Sequence, residues 1–126
     1  MNCRIILMDD VIHWLDADCH PEPAVRRQIK AKFAWTFGLL GEHGVALGRP
    51  HIAQIKNHAG LWEVRVEHTT GAYRAFFGTA DERIIVVSCG AVKKADRFPS
   101  RVYEWAAEKV RKAVRQVSTG QKKGEI

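Results

Sequence analysis

No apolar run in this chain approaches the roughly 18–20 residues that crossing a bilayer requires, so no membrane span is expected. The apolar stretch Ile5–Met8 is cut off by Asp9-Asp10, too early for a signal peptide. Cysteine is scarce: Cys3, Cys19 and Cys89 make an odd count without motif spacing. That argues against a disulfide framework and fits a reducing, cytoplasmic setting. His13, Cys19 and His20 match no common zinc spacing, so neither a metal nor another cofactor is expected. Internal repeats and low-complexity tracts are lacking too. Acidic residues are outnumbered, 14 Asp and Glu against 20 Lys and Arg, for a formal net charge of +6. Such a balance favours a polyanionic partner, whether nucleic acid, an acidic protein or an anionic surface. At 126 residues the chain is most simply one domain, long enough to bury a core unaided.

What is present centres on Leu61–Lys94, where three apolar runs are separated by short polar turns. Alternation puts Trp62, Val64, Val66 and His68 on one face and Leu61, Glu63, Arg65 and Glu67 on the other. Tyr73, Ala75 and Phe77 share a face, as do Arg74 and Phe76. The β-branched run Ile84–Val87 suits a strand covered on both sides. Turns are expected at Thr69-Thr70-Gly71 and at Gly78–Glu82. Cys3–Met8 predicts a strand at the sheet edge, with Asp9 or Asp10 capping a short helix that faces inward through Val11, Trp14 and Leu15. Val25, Ile29, Phe33, Phe37 and Leu40 predict a helix over Ala24–Leu40, with Arg26, Arg27, Lys30 and Lys32 off the stripe. Gly48–Gly60 reads as an irregular connector. Val102, Ala106, Val110, Ala113 and Val117 predict a last helix over Ser100–Val117, and 118–126 reads as a flexible basic tail. The order is β-α-α-β-β-β-α, an α+β class with one domain over 1–117.

The run Gly48-Arg49-Pro50-His51, followed by Gly60-Leu61-Trp62-Glu63-Val64-Arg65-Val66, resembles the "G-x-P … G-L-[aromatic]-E-[aliphatic]-R" pattern of RelE/HigB-type toxins in the RelE/ParE superfamily. Tyr73-Arg74-Ala75-Phe76-Phe77 is similar to their "Y-R-[aliphatic]-[aromatic]-[aromatic]" strand. Ala91-Val92-Lys93-Lys94, then Pro99 and a basic helix, is similar to their "F-x-K-K … P" ending. The phage-derived, HigB-like branch is the nearest in pattern. The resemblance implies a twisted antiparallel sheet with two N-terminal helices on one face and one C-terminal helix. It also implies the toxin of a type II toxin–antitoxin system, cutting mRNA at the ribosome and held inactive by a cognate antitoxin, a helix-turn-helix protein. The best-studied relatives carry extra lysines on the strand corresponding to Leu61–His68, at positions that here include Glu63 and Glu67; Glu63 matches the phage-derived branch, whereas Glu67 lowers the local positive potential.

RNA cleavage without a metal needs fixed cations for the charge gathering on the phosphate oxygens, and guanidinium groups hold their charge at any working pH. With the resemblance, this nominates Arg65, Arg74 and Lys94 as catalytic and Lys93, Arg97 and Arg101 as substrate-binding. On residue type alone, Arg65 would simply pair with Glu63, Glu67 or a cross-strand partner. Glu63 and His68 are the acid/base candidates, although alternation puts His68 on the Trp62 face. Tyr103 falls on the core stripe, and His51 and His58 lie in loops. Two other readings stay open: a ParE-like toxin that inhibits DNA gyrase, and a non-enzymatic module of phage origin that binds RNA or an acidic protein.

Overall fold

The computed structural model describes residues 2–124, with side chains described as far as residue 120. Five strands form one sheet: β1 (Arg4–Leu7), β2 (Ile52–Gln54), β3 (Trp62–His68), β4 (Gly71–Asp81) and β5 (Ile84–Lys93). Their spatial order is β1-β5-β4-β3-β2. Helix α1 (Asp9–His13) continues as a π-helical turn over Trp14–Asp18; α2 spans Pro23–His43 and α3 spans Ser100–Gly124. The class is α+β, with a mixed sheet and three helices.

The expected all-antiparallel sheet needs one correction. β1 lies parallel to β5, with Arg4 opposite Ile84 and Leu7 opposite Val87. Parallel neighbours need a long crossover; here both helices and the β2–β4 meander intervene. The supposed irregular connector contains β2, paired antiparallel with β3 and burying Ile52 and Ala53. β4 runs on to Asp81, so the second turn shrinks to Glu82-Arg83. Gly78 belongs inside the strand because α3 presses on it: a Cβ there would stand 2.8 Å from Val110 Cγ1. Asp9 and Asp10 fall in the first turn of α1, with Met8 at the cap position and no side-chain cap bond. Their charge still faces the positive end of the helix dipole.

Period explains the helices. In α2, Ile29, Phe33, Phe37 and Leu40 are buried and Val25 packs beside them. Pro23 opens the helix, where a missing N–H costs nothing. With Val11 and Leu15 they close over Val64, Val66, Tyr73, Ala75 and Phe77 on one face of the sheet. α3 lies on the other face, burying Ala106 and Val110 against Phe76 and Cys89, and Ala113 against Ile84 and Val86. The sheet is thus covered on both sides. α3 stays helical to Gly124, beyond the Val117 stop expected; of the foreseen tail, 125–126 lie outside the described residues. An ion pair between Lys109 and Asp10 ties α3 to α1.

Gly90 makes room for the Trp14 indole, which occupies the space a Cβ would need. Gly90→Ala should therefore cost about 1–3 kcal/mol by overpacking, read as an earlier urea midpoint; an unchanged midpoint would contradict this packing. Burial pushes the Cys89 thiol from its ordinary 9.0 up to about 12, only partly offset by Ser88 and Lys109. The unfolded thiol ionises first, so this contribution to stability is complete below pH 9 and lost as pH rises from 9 to 12. A Cys89→Ala variant should show a shallower loss of stability over that range in urea unfolding at stepped pH.

Candidate nucleic-acid interface

The alternation of β3 and β4 decides which side chains meet on the α3 side. Arg65 stands opposite Arg74, Glu63 opposite Phe76, and Glu67 opposite Ala72. On β5, Ala91 pairs with Arg74 and Lys93 with Ala72, so Lys93 shares their face. Two arginines directly across a strand pair repel unless carboxylates separate them. Glu63 and Glu67 supply these. Arg65 Nη1 donates to Glu63 Oε2 at 2.6 Å, and Arg74 Nη2 donates to Glu67 Oε1 at 2.8 Å. Arg74 Nη1 also donates to the Tyr73 carbonyl at 3.1 Å. Arg74 Nε lies 3.8 Å from Glu63 Oε1, too far for a hydrogen bond, and is the one buried side-chain polar atom without a partner among the described residues.

Depth separates the two arginines. Arg74 is only 2 % exposed and Glu63 5 %, whereas the Arg65 side chain keeps 22 % of its surface in contact with water. Of the two arginines nominated from the sequence, Arg65 is the one whose guanidinium reaches the surface. The cover is aromatic: Phe98 and Tyr103 pack on Phe76 with ring centroids 5.9 and 6.3 Å away, and on each other at 5.6 Å. Phe76, two residues along the same strand face, was the signal that this face is roofed.

Tyr103 overlooks the cluster from the first turn of α3. Burial raises its hydroxyl above the ordinary phenol range; the Glu63 charge adds to this, while Arg74, a hydrogen bond to the Phe98 backbone and Arg65 oppose it. The phenol therefore stays protonated and available as a donor. Lys94, Arg97 and Arg101 are exposed along the link from β5 into α3, and Lys93 is half-buried at its start. These four cations form a basic rim on the chain segment that carries Phe98 and Tyr103 to the cluster.

His68 is not part of this arrangement. It lies on the α2 side, its Nε2 2.8 Å from Gln28 Oε1 and its Nδ1 2.8 Å from Thr70 Oγ1. It ties the β3–β4 turn to α2, on the side of the sheet opposite the arginine cluster. His58 lies 6.2 Å from the Tyr103 ring, and His51 packs edge-on against Trp35 at 5.6 Å. Among the described residues no group of three or more His, Cys, Asp or Glu side chains is placed to hold a metal ion.

The family described as Phage derived protein Gp49-like (DUF891) matches residues 24–111. The chain belongs to the Gp49-like family. The matched span runs from α2 into α3 and contains the whole Arg65–Glu63–Arg74–Glu67 cluster, Tyr103 and the basic rim. No curated protein matches the chain.

Removing one partner of a buried ion pair strands the other charge, at a cost of about 3–5 kcal/mol. Because Glu63 keeps Arg65 and Glu67 is exposed, Arg74→Ala should lose stability at or below the low end of that scale in urea unfolding, and the double change Arg74→Met with Glu63→Leu should regain most of it. Equal losses in the single and double variants would contradict the pairing.

Proposed function

We propose that this Gp49-like protein is the toxin of a type II toxin–antitoxin module, a metal-independent endoribonuclease that cleaves mRNA at the ribosome. The observation that carries the reading is the partly exposed Arg65 guanidinium, fixed by Glu63 at 2.6 Å on the sheet face that α3 covers. A cation already held in place stabilises a phosphorane-like transition state without reorganising. The net positive charge and membership of a phage-derived family support it further.

In the proposed reaction the ribose 2′-oxygen attacks the adjacent phosphorus and the P–O5′ bond breaks. The products are a 2′,3′-cyclic phosphate and a 5′-hydroxyl. Arg65 neutralises the nonbridging oxygens and Tyr103 donates a hydrogen bond to them. The 2′-hydroxyl proton passes to solvent, while Glu63, buried between the two guanidiniums, keeps Arg65 oriented. The leaving O5′ gains a proton from Lys94 or solvent. Lys93, Arg97 and Arg101 hold the flanking phosphates. Arg74 touches no RNA; it is a positioning residue that acts through Glu63 and Glu67. The partners are translated mRNA, the ribosome and a helix-turn-helix antitoxin, all in the cytoplasm.

A second reading, a non-enzymatic binding module, draws on one specific observation: Glu63 and Glu67 both approach Arg74, so the cluster of two arginines and two glutamates carries no net charge. RNA 5′ ends mapped after brief induction in a bacterial host separate the readings. The expected result is new in-frame ends in translated messages, reduced about 100-fold or more by Arg65→Ala, the scale of one lost transition-state donor. Arrest without new ends favours the gyrase-inhibiting reading. Neither arrest nor ends, from folded protein free of antitoxin, favours the binding module.

A further inference from the structure

Trp35 is the most exposed large apolar side chain among the described residues, at 62 %. It stands off the apolar stripe of α2, on the side that carries Gln28 and Lys32 at helical spacing. That side faces the outer edge of β3: Gln28 meets His68, and Lys32 Nζ donates to the Glu67 carbonyl at 3.1 Å. Between helix and strand lies a groove of about 450 Å³, with Lys32, Trp35, His51, Arg65 and Glu67 among its walls. Arg65 is shared: it lines this groove and also pairs with Glu63 in the cluster.

We propose that this groove is a nucleobase-stacking subsite for single-stranded RNA. A base next to the phosphate on Arg65 lies on the open face of the Trp35 indole, while His51 braces the indole edge-on from the side. An exposed indole suits any base, because every base offers a π-face. The charges fit as well. Lys32 and Arg65 are the groove's fixed cations, and the acid on its wall, Glu67, has its carboxylate bonded to Arg74. Burying Trp35 under a base would also remove apolar surface from water. A protein partner laid on the same edge is the competing occupant, and the cations beside the indole favour RNA over it. The inference deepens the ribonuclease reading and rests on it, adding a contact that selects unpaired substrate.

The test uses a 5′-fluorescein-labelled RNA hexamer, 2′-O-methylated throughout so that it cannot be cut, in anisotropy titrations at fixed salt. Wild type is compared with Trp35→Ala, Trp35→Phe and Arg65→Ala, and inorganic polyphosphate serves as a base-free competitor. The expected result is affinity reduced roughly 5- to 150-fold by Trp35→Ala, the stacking of one base, and largely kept by Trp35→Phe. Polyphosphate should compete equally well against wild type and Trp35→Ala once scaled to each protein's RNA affinity. Unchanged RNA affinity in Trp35→Ala overturns the subsite; if Arg65→Ala still weakens binding, the RNA reading survives alone. Unchanged RNA affinity with lost antitoxin binding assigns the groove to a protein instead. Wild type that binds no RNA sinks both proposals.

Discussion

Arg74 is a full charge that water barely reaches, and much of the α3 face is arranged around it. Burying a guanidinium alone costs several kcal/mol or more unless carboxylates and carbonyls answer it. Glu63, Glu67 and the Tyr73 carbonyl provide that answer. A methionine would fill the same space without desolvating a charge, so stability by itself does not explain an arginine there. What the arginine does achieve is placement. It draws Glu63 inward, and Glu63 in turn holds Arg65 at the surface in one geometry. A β-sheet face that carried two free arginines side by side would instead splay them apart.

An aromatic roof lies on the same face. Phe98 and Tyr103 close over Phe76, two residues along β4 from the sealed inner arginine, while the outer one stays reachable. The same roof couples the end of β5 to the start of α3, so the basic rim Lys93, Lys94, Arg97 and Arg101 is held in register with the cluster. Surface charge and core packing are therefore not separable here: the segment that carries these cations also packs Phe98 and Tyr103 onto Phe76. Arg65 occupies the junction, between the cluster on the α3 side and the Trp35 groove at the outer edge of β3.

Much of this is legible in the amino-acid sequence. The four-residue stripe of α2, the stripe of α3 and the alternation of β3 and β4 assign each side chain to its face, because burial imposes those periods. That Arg65 could pair with a carboxylate on its own strand face was also readable, but Glu63, Glu67 and a cross-strand partner were equally placed for it. Coverage was not, since alternation tells which way Arg74 points but not whether α3 lies above it. β2 is three residues long, too short to print a period, and the parallel pairing of β1 depends on contacts eighty residues apart. Trp35 was overlooked for a different reason. It interrupts no pattern, but its absence from the α2 stripe marks a large aromatic that the core does not claim.

The central claim is that one arginine is sealed and structural while its neighbour is open and meets RNA. Side-chain 15N NMR of the arginines, recorded with and without an uncleavable RNA hexamer, tests it most directly. The Arg74 Nε–H is expected to exchange slowly, visible in the free protein and little moved by RNA, beside an Arg65 resonance that shifts strongly on titration. An Arg74 Nε–H that exchanges as fast as that of exposed Arg101, or an Arg65 resonance indifferent to RNA, would contradict it.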